Sequence, residues 1–182
     1  MPNYRRATEA GGTYFFTINT LYRQTVLLQP EIRGALRRGI EQVRIRYPFA
    51  IDAWVLMPDH MHCIWTLPAD DYNFSTRWAI IKRHVSRAYE RTKINTIIQR
   101  RSQKVRNEST LWQRRYWEHL INDANDFNRH MDYIHWNPVK HGYTKQVIDW
   151  PYSSFHRLLN DGVYTENWCG DETNDDRESF GE

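Results

Sequence analysis

The stretch AIDAWVLMPDHMHCIWTL, residues 50–67, decides the fold. Two runs of apolar, aromatic and β-branched residues, 50–57 and 60–67, flank Pro58-Asp59, and this pattern predicts two strands joined by a tight hairpin turn. Side chains alternate along a strand, so His60, His62, Ile64 and Thr66 point one way, while Met61, Cys63, Trp65 and Leu67 point the other. Both imidazoles therefore project to the same side. Eight histidines scattered over 182 residues would give about one third of a His-x-His pair by chance, so the pair means little without partners.

Outward from the hairpin, TYFFTINT (13–20) follows a glycine pair and predicts a first strand. From Pro30 the apolar residues Ile32, Leu36, Ile40 and Val43 recur at helical spacing, and that helix should end near Tyr47-Pro48. A second helix is expected from about Ser75, as N-cap, to Arg91, with Trp78, Ile81, Val85 and Ala88 buried. LWQRRYWEHLI (111–121) predicts a strand with an irregular aromatic lead-in. Asn122-Asp123 then caps a third helix with Phe127, Met131 and Ile134 on its inner stripe and a stop at Pro138. On it Tyr133 and Asn137 are four residues apart and share a face. The order of elements predicts an α+β fold, an antiparallel sheet with helices packed mainly on one face. Residues 1–170 should form a single domain, with a C-terminal extension from about 139 that returns to pack on it.

The formal net charge is +3, but the tail DETNDDRESFGE (171–182) holds six acids and one arginine, a net of −5, which leaves +8 on residues 1–170. A basic body points to nucleic acid as macromolecular partner. The tail has only Phe180 to pack with and is expected to be mobile. Residues 92–110 hold Lys93, Arg100, Arg101, Lys104 and Arg106, a basic loop for which solvation and nucleic-acid contact both stay open. Cys63 and Cys169 form no metal-like pair. With no signal peptide and no apolar run of the ~18 residues that span a bilayer, a soluble protein of the reducing cytoplasm, associated with the nucleoid, is expected.

Two strand histidines, a helix carboxamide and a helix tyrosine can do chemistry together. Neutral imidazoles and an amide oxygen ligate a divalent cation without neutralising it, which leaves charge for a phosphate oxygen. Phenol has a pKa of about 10, so Tyr133 is a weak nucleophile unless a metal, a cation or a base favours the phenolate. Placed in line, it could displace a 3′ oxygen and form a 5′-phosphotyrosine.

The segments YRR, GGTYFFT, AWVLMPDHMHCIWTLP, YWEH, MDYIHWNPVKHG and DWPYSSFHR, in this order, resemble the single-tyrosine HUH transposases, and most closely the REP-associated tyrosine transposases. The resemblance covers nearly all of the chain before the acidic tail. It implies a ferredoxin-like HUH nuclease domain that cleaves and rejoins single-stranded DNA beside REP-type hairpins with Mg²⁺ or Mn²⁺. It makes Tyr133 the nucleophile and His60, His62 and Asn137 the metal ligands. Tyr4, Arg5 and Arg6 match a basic arm that implies DNA contact. The family's helix typically offers a second tyrosine where this chain has His135, and some relatives have proline at Arg114.

Arg83, Arg87, Arg114, Arg115 and His119 are further expected DNA contacts, though each would be ordinary surface in most proteins. His130 shares a face with Tyr133, and Glu118 points away from His119. The branch resembled is expected to be monomeric, with a dimer left open. Two rival readings stand beside the transesterase: a catalytically inactive, domesticated hairpin-binding protein, and a metal hydrolase that uses water in place of Tyr133.

Overall fold

The Met57 N–H donates to the His60 carbonyl at 2.9 Å and closes the turn at Pro58-Asp59. The strands on either side are β2 (Ala50–Leu56) and β3 (His60–Thr66). They belong to a computed structural model that describes residues 9–92, 110–170 and 180–181. Its remaining elements are β1 (Thr13–Asn19), α1 (Pro30–Arg46), α2 (Phe74–Thr92), β4 (Trp117–Leu120), α3 (Ala124–Lys140) and α4 (Phe155–Asn160). The sheet has four antiparallel strands in the order β2-β3-β1-β4. Combined with the βαββαβ succession, this is ferredoxin-like.

Alternation along β1 and β3 sorts the core into two layers. Tyr14, Phe16, Ile18, Met61, Cys63 and Trp65 face α1 and α2, where Trp65 stacks on Trp78 with ring centroids 4.1 Å apart. Phe15, Ala53, Val55 and Ile64 face the other way, toward Met131 and Ile134 of α3 and Phe155 of α4. The expectation of helices mainly on one face holds for α1 and α2 only. Both sides of the central strands are apolar, each large side chain removed from water contributing roughly 1.5–3 kcal/mol, so α3 covers the second side. The histidines of β3 lie on that second side.

Local chemistry moves three element ends from where periodicity put them. The N-cap of α2 is Asn73, whose side-chain oxygen accepts from the Thr76 N–H, not Ser75. β4 is confined to Trp117–Leu120 because Trp112 turns its indole N–H to the Lys82 carbonyl and the Lys82 ammonium donates to the Gln113 carbonyl. α3 starts as expected, with Asp123 accepting from the Asp126 N–H, but runs past Pro138 to Lys140. Pro138 is buried in the last turn, and the helix stops at Gly142 (φ 71°). There the Tyr143 N–H bonds the Pro138 carbonyl and the Gly142 N–H bonds the Val139 carbonyl, a Schellman ending that needs a left-handed residue.

The segment after α3 packs back against β2. The Trp54 N–H donates to Ser154 Oγ and the Leu56 N–H to the Tyr152 carbonyl, which satisfies the free edge of β2. Among the described residues no helix is long and apolar enough to cross a membrane.

Candidate active site

β3 and α3 bring His60, His62, Tyr133 and Asn137 together, and all four are buried. His60 Nε2 lies 3.3 Å from Asn137 Oδ1. The two imidazole rings are 4.9 Å apart, and the His62 ring is 5.3 Å from the Tyr133 ring in an edge-to-face contact. The His141 ring lies 5.3 Å from that of His60. The continuation of α3 through Pro138 keeps Asn137 inside the helix and aimed at the sheet.

Hydrogen bonds hold both imidazoles. His60 Nδ1 is 2.7 Å from Asp59 Oδ1, and a carboxylate only accepts, so Nδ1 carries a proton and Nε2 is the atom turned to Asn137. Thr17 Oγ1 donates to the Phe180 carbonyl and so accepts from His62 Nδ1 at 2.8 Å. Asp59 is itself held by Arg23 Nε at 2.7 Å. Burial works against its ionisation, but the His60 bond and the charges of His60 and Arg23 prevail and hold its carboxyl below the usual range. Arg23 reaches it from a turn in which Tyr22 (φ 57°) and Arg23 (φ 54°) are both left-handed without being glycine. Such residues cost of order 1–3 kcal/mol each and concentrate at functional sites.

Lys140 and Phe180 also meet Tyr133. Lys140 Nζ donates to its Oη at 3.3 Å and lies 4.6 Å from its ring centroid. Phe180 stacks on the ring, with centroids 3.7 Å apart and planes within 6°. The tail was expected to be mobile, but its one large apolar residue is buried against Tyr133, Phe15 and His130. Gly181 (φ 71°) packs flat on Trp117, where an added Cβ would come within 2.3 Å of the ring. Residues 171–179 lie outside the described residues.

His119 is placed on the α3 side of β4, opposite Phe15 of β1, and β1 separates it from the histidine strand. Its Nε2 bonds Asp126 Oδ2 at 2.8 Å, Asp126 Oδ1 lies 3.0 Å from His130 Nδ1, and the two imidazoles stack 4.6 Å apart. The donor atoms of this trio lie within 4.8 Å of one another, a spacing a metal ion could use. Stacked rings, however, aim their lone pairs along parallel lines, so we read the trio as a clamp between β4 and α3. Burial pushes His130 below the usual imidazole range. Arg83 and Arg87 are exposed on α2, on the opposite side of the sheet from Tyr133, and Arg114 and Arg115 are exposed ahead of β4. Tyr4, Arg5, Arg6 and most of the basic loop lie outside the described residues. His135, where the family's helix offers a second tyrosine, is buried between Tyr164 and Ser154.

Sequence reasoning missed Thr17, Arg23, Asp59, Lys140 and Phe180. Two of these had a readable signal. Asp59 directly precedes His-x-His, and Lys140 follows Tyr133 by seven residues, two helical turns on one face.

Three comparisons bear on this geometry. Residues 10–137 match the family model described as transposase IS200 like. The chain is 44% identical to a REP-associated tyrosine transposase of Escherichia coli over 95% of this chain and 94% of that one. It is equally identical to a putative REP-associated tyrosine transposase of Haemophilus influenzae over 93% and 94%. Its fold is similar to a solved REP-associated tyrosine transposase bound to a REP hairpin, with a TM-score of 0.81 and 42% identity over 100% of this chain and 98% of that one.

Proposed function

Since the chain belongs to the IS200-like family of transposases, we propose that it cleaves and rejoins single-stranded DNA beside REP-type hairpins through a 5′-phosphotyrosine on Tyr133. The observation that carries this reading is the convergence of Tyr133 with His60, His62 and Asn137 on one buried face of the sheet. Hairpin DNA as partner follows from the similar protein solved with a REP hairpin and from the basic body of the chain.

The donor set suits a divalent cation. The Nδ1 atoms of the two rings are engaged by Asp59 and Thr17, and His60 Nε2 lies 3.3 Å from the Asn137 amide oxygen. Imidazole nitrogens and an amide oxygen are ligands that a divalent cation takes. We assign His60, His62 and Asn137 to hold Mg²⁺ or Mn²⁺, and Asp59 and Thr17 to orient the two rings. When bound, the ion supplies Lewis acidity at a phosphate oxygen. Tyr133 supplies the nucleophilic oxygen, and the bond it makes to phosphorus conserves the energy used in rejoining. The four groups meet within one chain, which supports a monomer as the working unit and residues 1–170 as one domain.

The test is the chemistry of the ends. Purified protein, a hairpin-bearing oligonucleotide and Mn²⁺ should give a free 3′ hydroxyl on one product and a protein-blocked 5′ end on the other. Free 5′ phosphates at early times would replace this reading with metal-assisted hydrolysis by water. Intact DNA, despite hairpin binding, would favour an inactive binding protein.

A further inference from the structure

Tyr133 needs a group that favours its phenolate, and among the described residues a cation at its oxygen is neither a histidine nor part of the metal donor set. Lys140 Nζ is 3.3 Å from Tyr133 Oη and 4.6 Å from the ring centroid. It gets there because α3 runs through Pro138 for another turn, which puts position 140 on the face of position 133. The same last turn is where a helix dipole favours a cation.

The geometry points to Lys140 as a catalytic residue, the ammonium that stabilises the Tyr133 oxygen as it attacks and again as it leaves. The inference rests on Tyr133 being the nucleophile. In the forward step the phenol gives its proton to solvent, Oη bonds to phosphorus, the bond from phosphorus to O3′ breaks, and the 3′ oxygen takes up a proton. One proton is lost and one gained, and neither passes through Lys140. A cation at hydrogen-bonding distance favours the anionic form of its partner, and rejoining reverses the path, so the same contact eases phenolate departure. The contact is then required in both directions.

The experiment compares the full chain with Lys140→Gln and Lys140→Arg, measuring single-turnover adduct formation on hairpin DNA with Mn²⁺, rejoining from the isolated adduct, and hairpin binding. Lys140→Gln should slow adduct formation and rejoining alike, by about a hundredfold, with hairpin binding unchanged, while Lys140→Arg stays close to the parent. Unchanged rates in Lys140→Gln would overturn the assignment. So would a rate loss matched by weaker hairpin binding, which would make Lys140 a DNA contact. If the parent forms no adduct, or Tyr133→Phe keeps it, the transesterase reading fails instead.

Discussion

Phe180 and Tyr133 are 47 positions apart and stack as closely as two rings can. With that ring in place Tyr133 is 1% exposed, so Phe180 is one of the groups that cover it. Phe180→Ala should therefore speed adduct formation on hairpin DNA, about tenfold for each 1.4 kcal/mol of docking lost, read from an adduct time course. A slower reaction would mean that the ring supports the nucleophile instead of covering it. The contact was not legible in the sequence because one aromatic among six acids carries no periodicity, and its partner lies on a distant helix. His60, His62, Tyr133 and Asn137 were legible for the opposite reason. Strand alternation puts the first two on one face, and helical spacing puts the last two on another, so that only the meeting of the faces had to be supplied by the fold.

At the scale of elements, α3 carries Tyr133, Asn137 and Lys140, and its ends matter more than its middle. Its start was readable from Asp123, whose carboxylate takes the Asp126 N–H. Its end was misread, because proline is usually where a helix stops, whereas here Pro138 is buried in the last turn and Gly142 makes the stop. An added Cβ at Gly142 would meet nothing within 4 Å, so Gly142→Ala tests the left-handed backbone alone. It should cost about 1–2 kcal/mol and lower Tm by roughly 2–8 °C. Unchanged stability would show that the ending does not depend on that conformation. The hairpin of β2 and β3, by contrast, appeared where Pro58-Asp59 put it, since a turn between two strands is a local property.

For the whole molecule, the antiparallel α+β sheet was foreseeable from the order of elements and its ferredoxin-like topology from the family resemblance, but the second layer of helix was not. Periodicity shows that a helix has an apolar stripe without showing which face of the sheet receives it. That second layer is locked by a buried chain in which Tyr164 Oη donates to Asp132, His135 Nδ1 contacts Tyr164 Oη, and His135 Nε2 contacts Ser154 Oγ on the extension. Burial, followed by the charge of Arg157, pushes the His135 imidazole down to about 3. A folded-state value below the unfolded one means that the unfolded chain takes up a proton the native state refuses. The contribution is full above pH of about 6.5 and is lost as pH falls toward 3. Between pH 7.5 and 5 it should amount to about 2 kcal/mol, seen as a drop in urea stability that is flatter in His135→Gln. Equal slopes in the two proteins would mean that His135 is not what makes the fold acid-sensitive. The most direct test of the central claim mixes the full chain with hairpin-bearing single-stranded DNA and Mn²⁺ and runs the products under denaturing conditions. A covalent protein–DNA adduct should form and should disappear in Tyr133→Phe; an adduct that persists in Tyr133→Phe would mean that Tyr133 is not the nucleophile.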